Sequence, residues 1–189
     1  MRYITLALTL FVLFSCNNKE ENNSNFSYLP DAVGGYSTVN IIADQTLWDY
    51  GLQKHIEPVF TKEIEGLLNR ESEFDIQTVR SKAFNRLFQR QRFIVIFVSS
   101  NKVISEGVTV KKNVYANGQI IVQVSGKSEM NAVKVFNKKK AEIFTLLDNH
   151  RTSVIQQLAK AKSNHKLEEQ LLNSQGIKLT IPQSYTLAL

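Results

Sequence analysis

The chain has 189 residues, 23 Lys and Arg against 17 Asp and Glu, and a formal net charge of +6. Apolar residues make up 43%, enough to bury a core, so global disorder is excluded and the length suits one domain. A single cysteine, Cys16, excludes an intramolecular disulfide framework and any multi-cysteine zinc or iron–sulfur site, and no apolar run reaches the roughly 18 residues that a membrane span needs.

Met1 and Arg2 form a short positive start, residues 3–14 are apolar apart from Thr5 and Thr9, and small Ser15 follows. That order reads as a secretory signal peptide over residues 1–15. Leu13-Phe14-Ser15-Cys16 resembles the lipobox of bacterial lipoproteins. The resemblance implies cleavage before Cys16 and acylation of its sulfur. Acyl chains contribute about 0.8 kcal/mol per buried methylene, and several together hold a protein on a membrane without spanning it. Lys19, Glu20 and Glu21 resemble the export signal of Bacteroidetes lipoproteins displayed on the outer face of the outer membrane. An ordinary solvated tether on a periplasm-facing lipoprotein is the alternative. Residues 16–28 are rich in Asn, Ser and Glu, a composition that reads as a flexible spacer.

Removing residues 1–15 leaves 174 residues and a charge of +5, unevenly spread: −2 over residues 16–100 and +7 over residues 101–189. Residues 29–189 read as a single folded domain. Pro30 and the Gly34-Gly35 pair punctuate its entry. Residues 37–43 are β-branched and read as a strand. Asp44 is placed to cap a helix over residues 45–60, with Leu47, Trp48, Leu52, Ile56, Val59 and Phe60 at helical spacing and Pro58 disturbing the last turn. Residues 61–76 are mixed. Residues 81–91 read as a second helix with Phe84, Leu87 and Phe88 on one face. Residues 92–99 are almost continuous in β-formers and predict a central strand.

Residues 105–115 alternate less cleanly, as a strand or an irregular connection. Asn117-Gly118 predicts a hairpin-type turn into a strand over residues 119–125. Ser128 opens a long helical region, with a break expected near Asn137 where the apolar face changes. Residues 173–176 end the helices, and residues 177–181 begin a last strand before Pro182. Strands and helices interleave without a regular βαβ repeat. This predicts an α+β fold, a mixed or antiparallel sheet of four to five strands packed against long amphipathic helices.

Several ordered segments resemble an uncharacterised family of Bacteroidetes lipoproteins known only as a domain of unknown function. They are residues 29–35, Trp48-Asp49, Phe74-Asp75-Ile76, the Arg92-led strand, Gly118-Gln119 and residues 181–185. The resemblance covers most of residues 29–189 and implies a cell-envelope lipoprotein with no assigned activity, so no functional residue carries over from it. Its members are longer, which together with the apolar ending Tyr185-Thr186-Leu187-Ala188-Leu189 suggests a truncated chain; a natural end tucked in as an edge strand is the alternative.

Local signatures of chemistry are sparse. His55, His150 and His165 are far apart and form no His-x3-His pair. Acylation of Cys16 removes the one cysteine nucleophile. The acids Glu63, Glu65, Glu71, Glu73 and Asp75 could supply a glycosidase pair, but short-spaced acids of this kind are more simply solvated. No catalytic residue, cofactor or metal is expected. The basic residues suggest contacts with an anionic partner: Lys82, Arg86 and Arg90 at spacings of four on one helical face, and Lys138, Lys139 and Lys140 on the long helix. The wet face of an amphipathic helix explains the same pattern. Nucleic acid is not expected as a partner, since aromatics are not interleaved with the charge. The sequence thus points to an outer-membrane-anchored, non-enzymatic binding module for an envelope protein or anionic polymer. An envelope enzyme acting on glycan or peptide, its site assembled from distant residues, is the alternative.

Overall fold

The computed structural model describes residues 29–186. The signal peptide, the spacer, Cys16, Lys19, Glu20 and Glu21 lie outside the described residues.

The architecture is α+β, with a five-stranded mixed sheet. Strand β1 is Thr38–Ala43, β2 Asp75–Arg80, β3 Phe93–Ser99, β4 Gly107–Lys112 and β5 Ile120–Gly126, in the spatial order β2-β1-β3-β5-β4. The pairs β1–β2, β1–β3 and β3–β5 are parallel, and only the edge pair β4–β5 is antiparallel. Strand β3 sits between β1 and β5 and is largely buried on both faces, as its unbroken apolar run Phe93-Ile94-Val95-Ile96-Phe97 requires.

One face of the sheet carries the main core. Val39, Ile41, Phe93, Val95, Val122 and Val124 pack there against two helical elements. The first is a broken helix, α1 (Gln45–Asp49) and α2 (Gln53–Phe60). The second is α4, Glu129–Ala161, 33 residues long. A short helix, α3 (Arg86–Gln89), lies between β2 and β3, and the last helix, α5, is His165–Gln175. The opposite face has a smaller cluster of Ile42, Val79, Ile94 and Ile121, covered by Phe84 and Phe88. No described helix is long and apolar enough to cross a membrane.

Several expectations need correction. The helix expected over residues 45–60 breaks at Gly51, whose φ of +92° suits glycine. The Leu52 amide donates to the Leu47 carbonyl across the break (3.1 Å), so Leu47, Leu52, Ile56 and Phe60 all reach the core. Asp44 caps α1 through its backbone carbonyl, not its side chain. The helix expected over residues 81–91 is instead a 3-10 turn, Ser81–Ala83, followed by α3. Asn85 causes the break: it is extended, and its side-chain carbonyl accepts the Leu87 amide (3.0 Å), which starts a new helix.

The break expected near Asn137 is absent, because the inward Asn137 amide is satisfied by the His55 ring at 3.1 Å. Residues 177–181 form no strand. They lie beside α5, where the Ile181 amide donates to Glu168 (2.8 Å), and only Pro182 bridges to Ser163. Residues 75–80, left unassigned by their pattern, form edge strand β2, with Val79 alone buried.

Helix α4 sets up the geometry of one end of the molecule. At 1.5 Å per residue its 33 residues span about 50 Å, while seven-residue β5 spans about 23 Å. It starts where β5 ends, runs back over the sheet, and overshoots the N-terminal ends of the strands. Its last buried residue is Val154.

Candidate functional site

The N-terminal ends of β1, β3 and β5 are laced together by the entry loop. The Ala32 amide donates to Asn117 (2.9 Å), Val33 to Arg90 (2.9 Å), Arg92 back to Val33 (3.0 Å), and the Asn117 amide to Pro30 (2.8 Å). Gln119 is fully buried in this lacing. Its amide group donates to the carbonyls of Gln89 (2.6 Å) and Gln91 (2.7 Å) and accepts the Tyr115 N–H (3.1 Å). A buried side-chain amide with these bonds fixes the spacing of three chain segments.

Arg92 stands on this scaffold. Its Nη2 donates to the Ala32 carbonyl (2.9 Å), and its guanidinium lies over the Tyr36 ring, 4.5 Å from the centroid. Its Nε–H is buried without an acceptor, and no carboxylate among the described residues reaches ion-pair distance. Gly118 sits against Nη1, 3.3 Å from where a Cβ would be, with φ of +75°. Behind it, His150 of α4 shares a 3.2 Å hydrogen bond between Nε2 and the Gly118 carbonyl, and its ring meets Phe93 edge-on. Burial chiefly pushes the His150 imidazole below its ordinary range, and Lys112 and Arg92 add to this; the bond to Gly118 opposes it.

The overshooting end of α4 faces this scaffold and leaves a groove in two adjacent parts. The inner part, about 460 Å³, is lined by Tyr36, Arg92, Gly118, Gln157, Leu158 and also Asp31. The outer part, about 650 Å³, is mainly apolar, between Tyr36, Ile155, Leu158, Ala159 and Pro182, with Lys162 on its rim. Tyr36 and Leu158 belong to both. Ile155 and Leu158 remain 44% and 41% exposed. The groove gathers segments far apart in sequence: Asp31 and Ala32, Tyr36, Arg92, Asn117-Gly118 and Pro182.

At the other end of the sheet the junction of β5 and α4 is closed, and a cleft of about 220 Å³ lies beside the ends of β1 and β2, between Gln45, Trp48 and Arg80. Glu106 accepts the Lys127 amide and the Asn131 side chain, each at 2.7 Å, and Ser128 caps α4 by accepting the Asn131 amide (3.2 Å). These bonds hold the Glu106 carboxyl below its usual range. Glu129 is lowered as well, first by its own backbone N–H and then by Thr46.

The basic residues singled out from sequence do not converge. Because the 81–91 helix is broken, Lys82 lies in the 3-10 turn, Arg86 opens α3 and Arg90 follows it, with Nη2 on the Asp31 carbonyl (3.3 Å). They share no helical face. Lys138, Lys139 and Lys140 are all exposed. Lys139 pairs with Glu142 (2.6 Å), and Lys140 borders a separate shallow cleft with Lys62 and Phe144. Of the acids, Glu63 pairs with Arg70 (3.5 Å) and Glu65 with Lys62 (3.9 Å). Glu73 binds Arg151 (3.0 Å), which also pairs with Asp148 and stacks on Phe74 at 4.4 Å. That half-buried cluster ties α4 to the start of β2. His165 is exposed and pairs with Glu168 at 3.2 Å.

Sequence reading did not single out Arg92, Tyr36 or His150 as a site. The one local signal was a charged residue heading an apolar strand, and what gives it meaning, the lack of a counter-ion among the described residues and a facing helix, is tertiary.

Residues 32–160, which hold all five strands and nearly all of α4, match the model of a family described as a domain of unknown function (DUF8532). No curated protein and no solved structure matches the chain.

Proposed function

The chain belongs to the DUF8532 family, a domain of unknown function, and from that premise we propose that it is a non-enzymatic binding module of the cell envelope, tethered as an outer-membrane lipoprotein through acylated Cys16. The anchor rests on the lipobox-like Leu13-Phe14-Ser15-Cys16. Surface display rests on Lys19-Glu20-Glu21. The binding role rests on one observation: Arg92, stacked on Tyr36 and lacking an acidic partner among the described residues, faces a groove whose far wall is apolar.

The tether supports this assignment. Asn117, which lines the groove, holds the Leu29 carbonyl at 2.8 Å, so the first described residue stands beside it. Leu29 follows Cys16 by 13 residues, a chain length that spans at most about 45 Å. The groove therefore works close to the bilayer surface.

The test is made in intact cells. Cys16→Ala is expected to abolish acyl labelling and, with it, cleavage of the signal peptide; labelling or cleavage that persists would sink the anchor. A photo-crosslinking residue in place of Gln157 is expected to capture an envelope component that one in place of Lys102 does not. Equal capture from both positions, or from neither, would overturn the binding role.

A further inference from the structure

We propose that the groove takes an apolar monocarboxylate, its carboxylate held by Arg92 and its apolar body laid along Tyr36, Ile155, Leu158 and Pro182. This rests on the binding role above and adds the chemistry of the ligand.

The first argument is charge. Removing a guanidinium partly from water costs free energy unless an anion or acceptors compensate it. Arg92 has one acceptor, the Ala32 carbonyl, and no carboxylate at ion-pair distance among the described residues. Tyr36 and Gly118 fix its plane and position, so the fork is oriented before any ligand arrives. An oriented guanidinium is matched by a planar carboxylate, which can accept two of its N–H groups.

The second argument separates a monoanion from a dianion. Asp31 lines the same inner cavity, and its carboxylate opposes a second negative charge there. Lys112 and His150 lie behind the scaffold, with Lys112 close enough to act on His150, and Lys162 is on the outer rim. A phosphate dianion would face Arg92 and Asp31 together, whereas a single carboxylate can turn towards Arg92 alone.

The third argument is shape. The outer groove shares the walls Tyr36 and Leu158 with the inner one, and Ile155 and Leu158 are left open there. Both parts fall within the range of roughly 300–1,000 Å³ typical of small-ligand sites. An apolar tail bound there also covers the stretch of α4 that overshoots the sheet. A free fatty acid and the C-terminal residue of an apolar peptide both carry this chemistry, and both occur at a membrane surface.

The test is calorimetric titration of the mature chain, residues 16–189, carrying Cys16→Ala and made without the signal peptide, so that neither an acyl group nor the signal's apolar run competes. The probes are octanoate against octanol, and a short peptide ending in Leu as the free acid against its amide. One acid is expected to bind at least tenfold more tightly than its neutral match, and which acid does so identifies the source. Arg92→Met is expected to erase that preference. Gln157→Glu, a change at an exposed position that puts a carboxylate into the inner groove, should erase it without disturbing the fold, and Ile155→Asp should weaken acid and neutral probe alike. Equal binding of acid and neutral probes, or a preference that survives both Arg92→Met and Gln157→Glu, would overturn the assignment. Binding that appears only after Glu20→Gln and Glu21→Gln would show that the chain's own spacer fills the groove, and would overturn it too. If the crosslink at residue 157 forms in cells while acids show no preference, the binding role stands and this ligand chemistry fails. If no crosslink forms, the binding role itself fails.

Discussion

Replacing Gly126 by alanine tests how α4 is seated on the sheet. Gly126 ends β5, opposite Ser99 of β3, and its carbonyl accepts the Ser100 amide at 3.1 Å. A Cβ built there would lie 2.1 Å from the Ala132 nitrogen, 2.6 Å from its Cα and 2.7 Å from the Asn131 carbonyl carbon. All three are backbone atoms of the first turn of α4, and none can swing aside as a side chain could. Restoring ordinary contact, about 3.4 Å or more, requires the turn to retreat by roughly 1.3 Å, in a core packed as densely as an organic crystal. Ala132, Val133 and Phe136, buried just beyond, move with it. Overpacking costs about 1–3 kcal/mol, and a clash with backbone belongs at the upper end. The stiffer unfolded chain returns about 0.4–1 kcal/mol. The net loss is about 2 kcal/mol, which for a chain of this size lowers Tm by about 4–8 °C. Thermal unfolding followed by circular dichroism reads this directly. A Tm equal to or above that of the parent would refute the close approach of β5 and α4.

Two further substitutions probe the other end. Arg151→Met removes the bonds to Glu73 and Asp148 and leaves both acids without their partner; with Arg151 only 18% exposed, the loss is about 1–3 kcal/mol. A lower urea midpoint at unchanged slope is expected, and an unchanged midpoint counts against a structural role. His150 predicts a pH dependence. Its folded-state pKa lies below the ordinary value, so the unfolded chain binds the proton more readily. Its neutral form is fully accommodated above about pH 6.5, and stability falls as pH drops below that value. Unfolding midpoints of His150→Gln should lose the part of the slope that lies below pH 6.5, and parallel curves for parent and variant would contradict the assignment.

The fold was legible where local and tertiary demands coincide. The run 93–99 has no polar interruption because β3 is central, and the Ser128 cap declares itself because its hydroxyl meets an amide three residues on. Misreadings arose where a short-range pattern was overruled by one bond. Phe84, Leu87 and Phe88 carry helical spacing, yet the Asn85 side chain divides them. Asn137 interrupts an apolar face, yet His55, 82 residues earlier, satisfies it and the helix continues. Strand β2 shows little alternation because it lies at an edge and buries only Val79. The groove was the least legible feature. A count of charges gives Arg92 no more weight than Arg86. Its distinction lies in what surrounds it: Ala32 and Tyr36 from a loop some 60 residues earlier, and the end of α4 some 60 residues later.

The placement of the groove follows from the same geometry. In open parallel sheets ligands usually bind outside the carboxyl ends of the strands. Here the β3–β5 side of that end is filled, because β5 passes into α4 through the tight contact at Gly126 and Glu106 and Glu129 occupy the donors of the first helical turn and the neighbouring loops. Beside β1 and β2 there is a cleft of about 220 Å³ between Gln45, Trp48 and Arg80. The larger opening is at the opposite end, because α4 is about twice as long as the strand it covers. Past Val154 it has no sheet beneath it. The segment around Pro182 and α5 folds back on its end through Asn164–Ile181 and Gln183–Lys162 backbone bonds of 2.7 Å. That return seals one side and leaves Ile155 and Leu158 facing Tyr36. An apolar helix end therefore comes to lie opposite a guanidinium that lacks a described counter-ion. Ending α4 at Val154 would remove the apolar wall of the groove while sparing the main core, whose residues on α4 all precede residue 148.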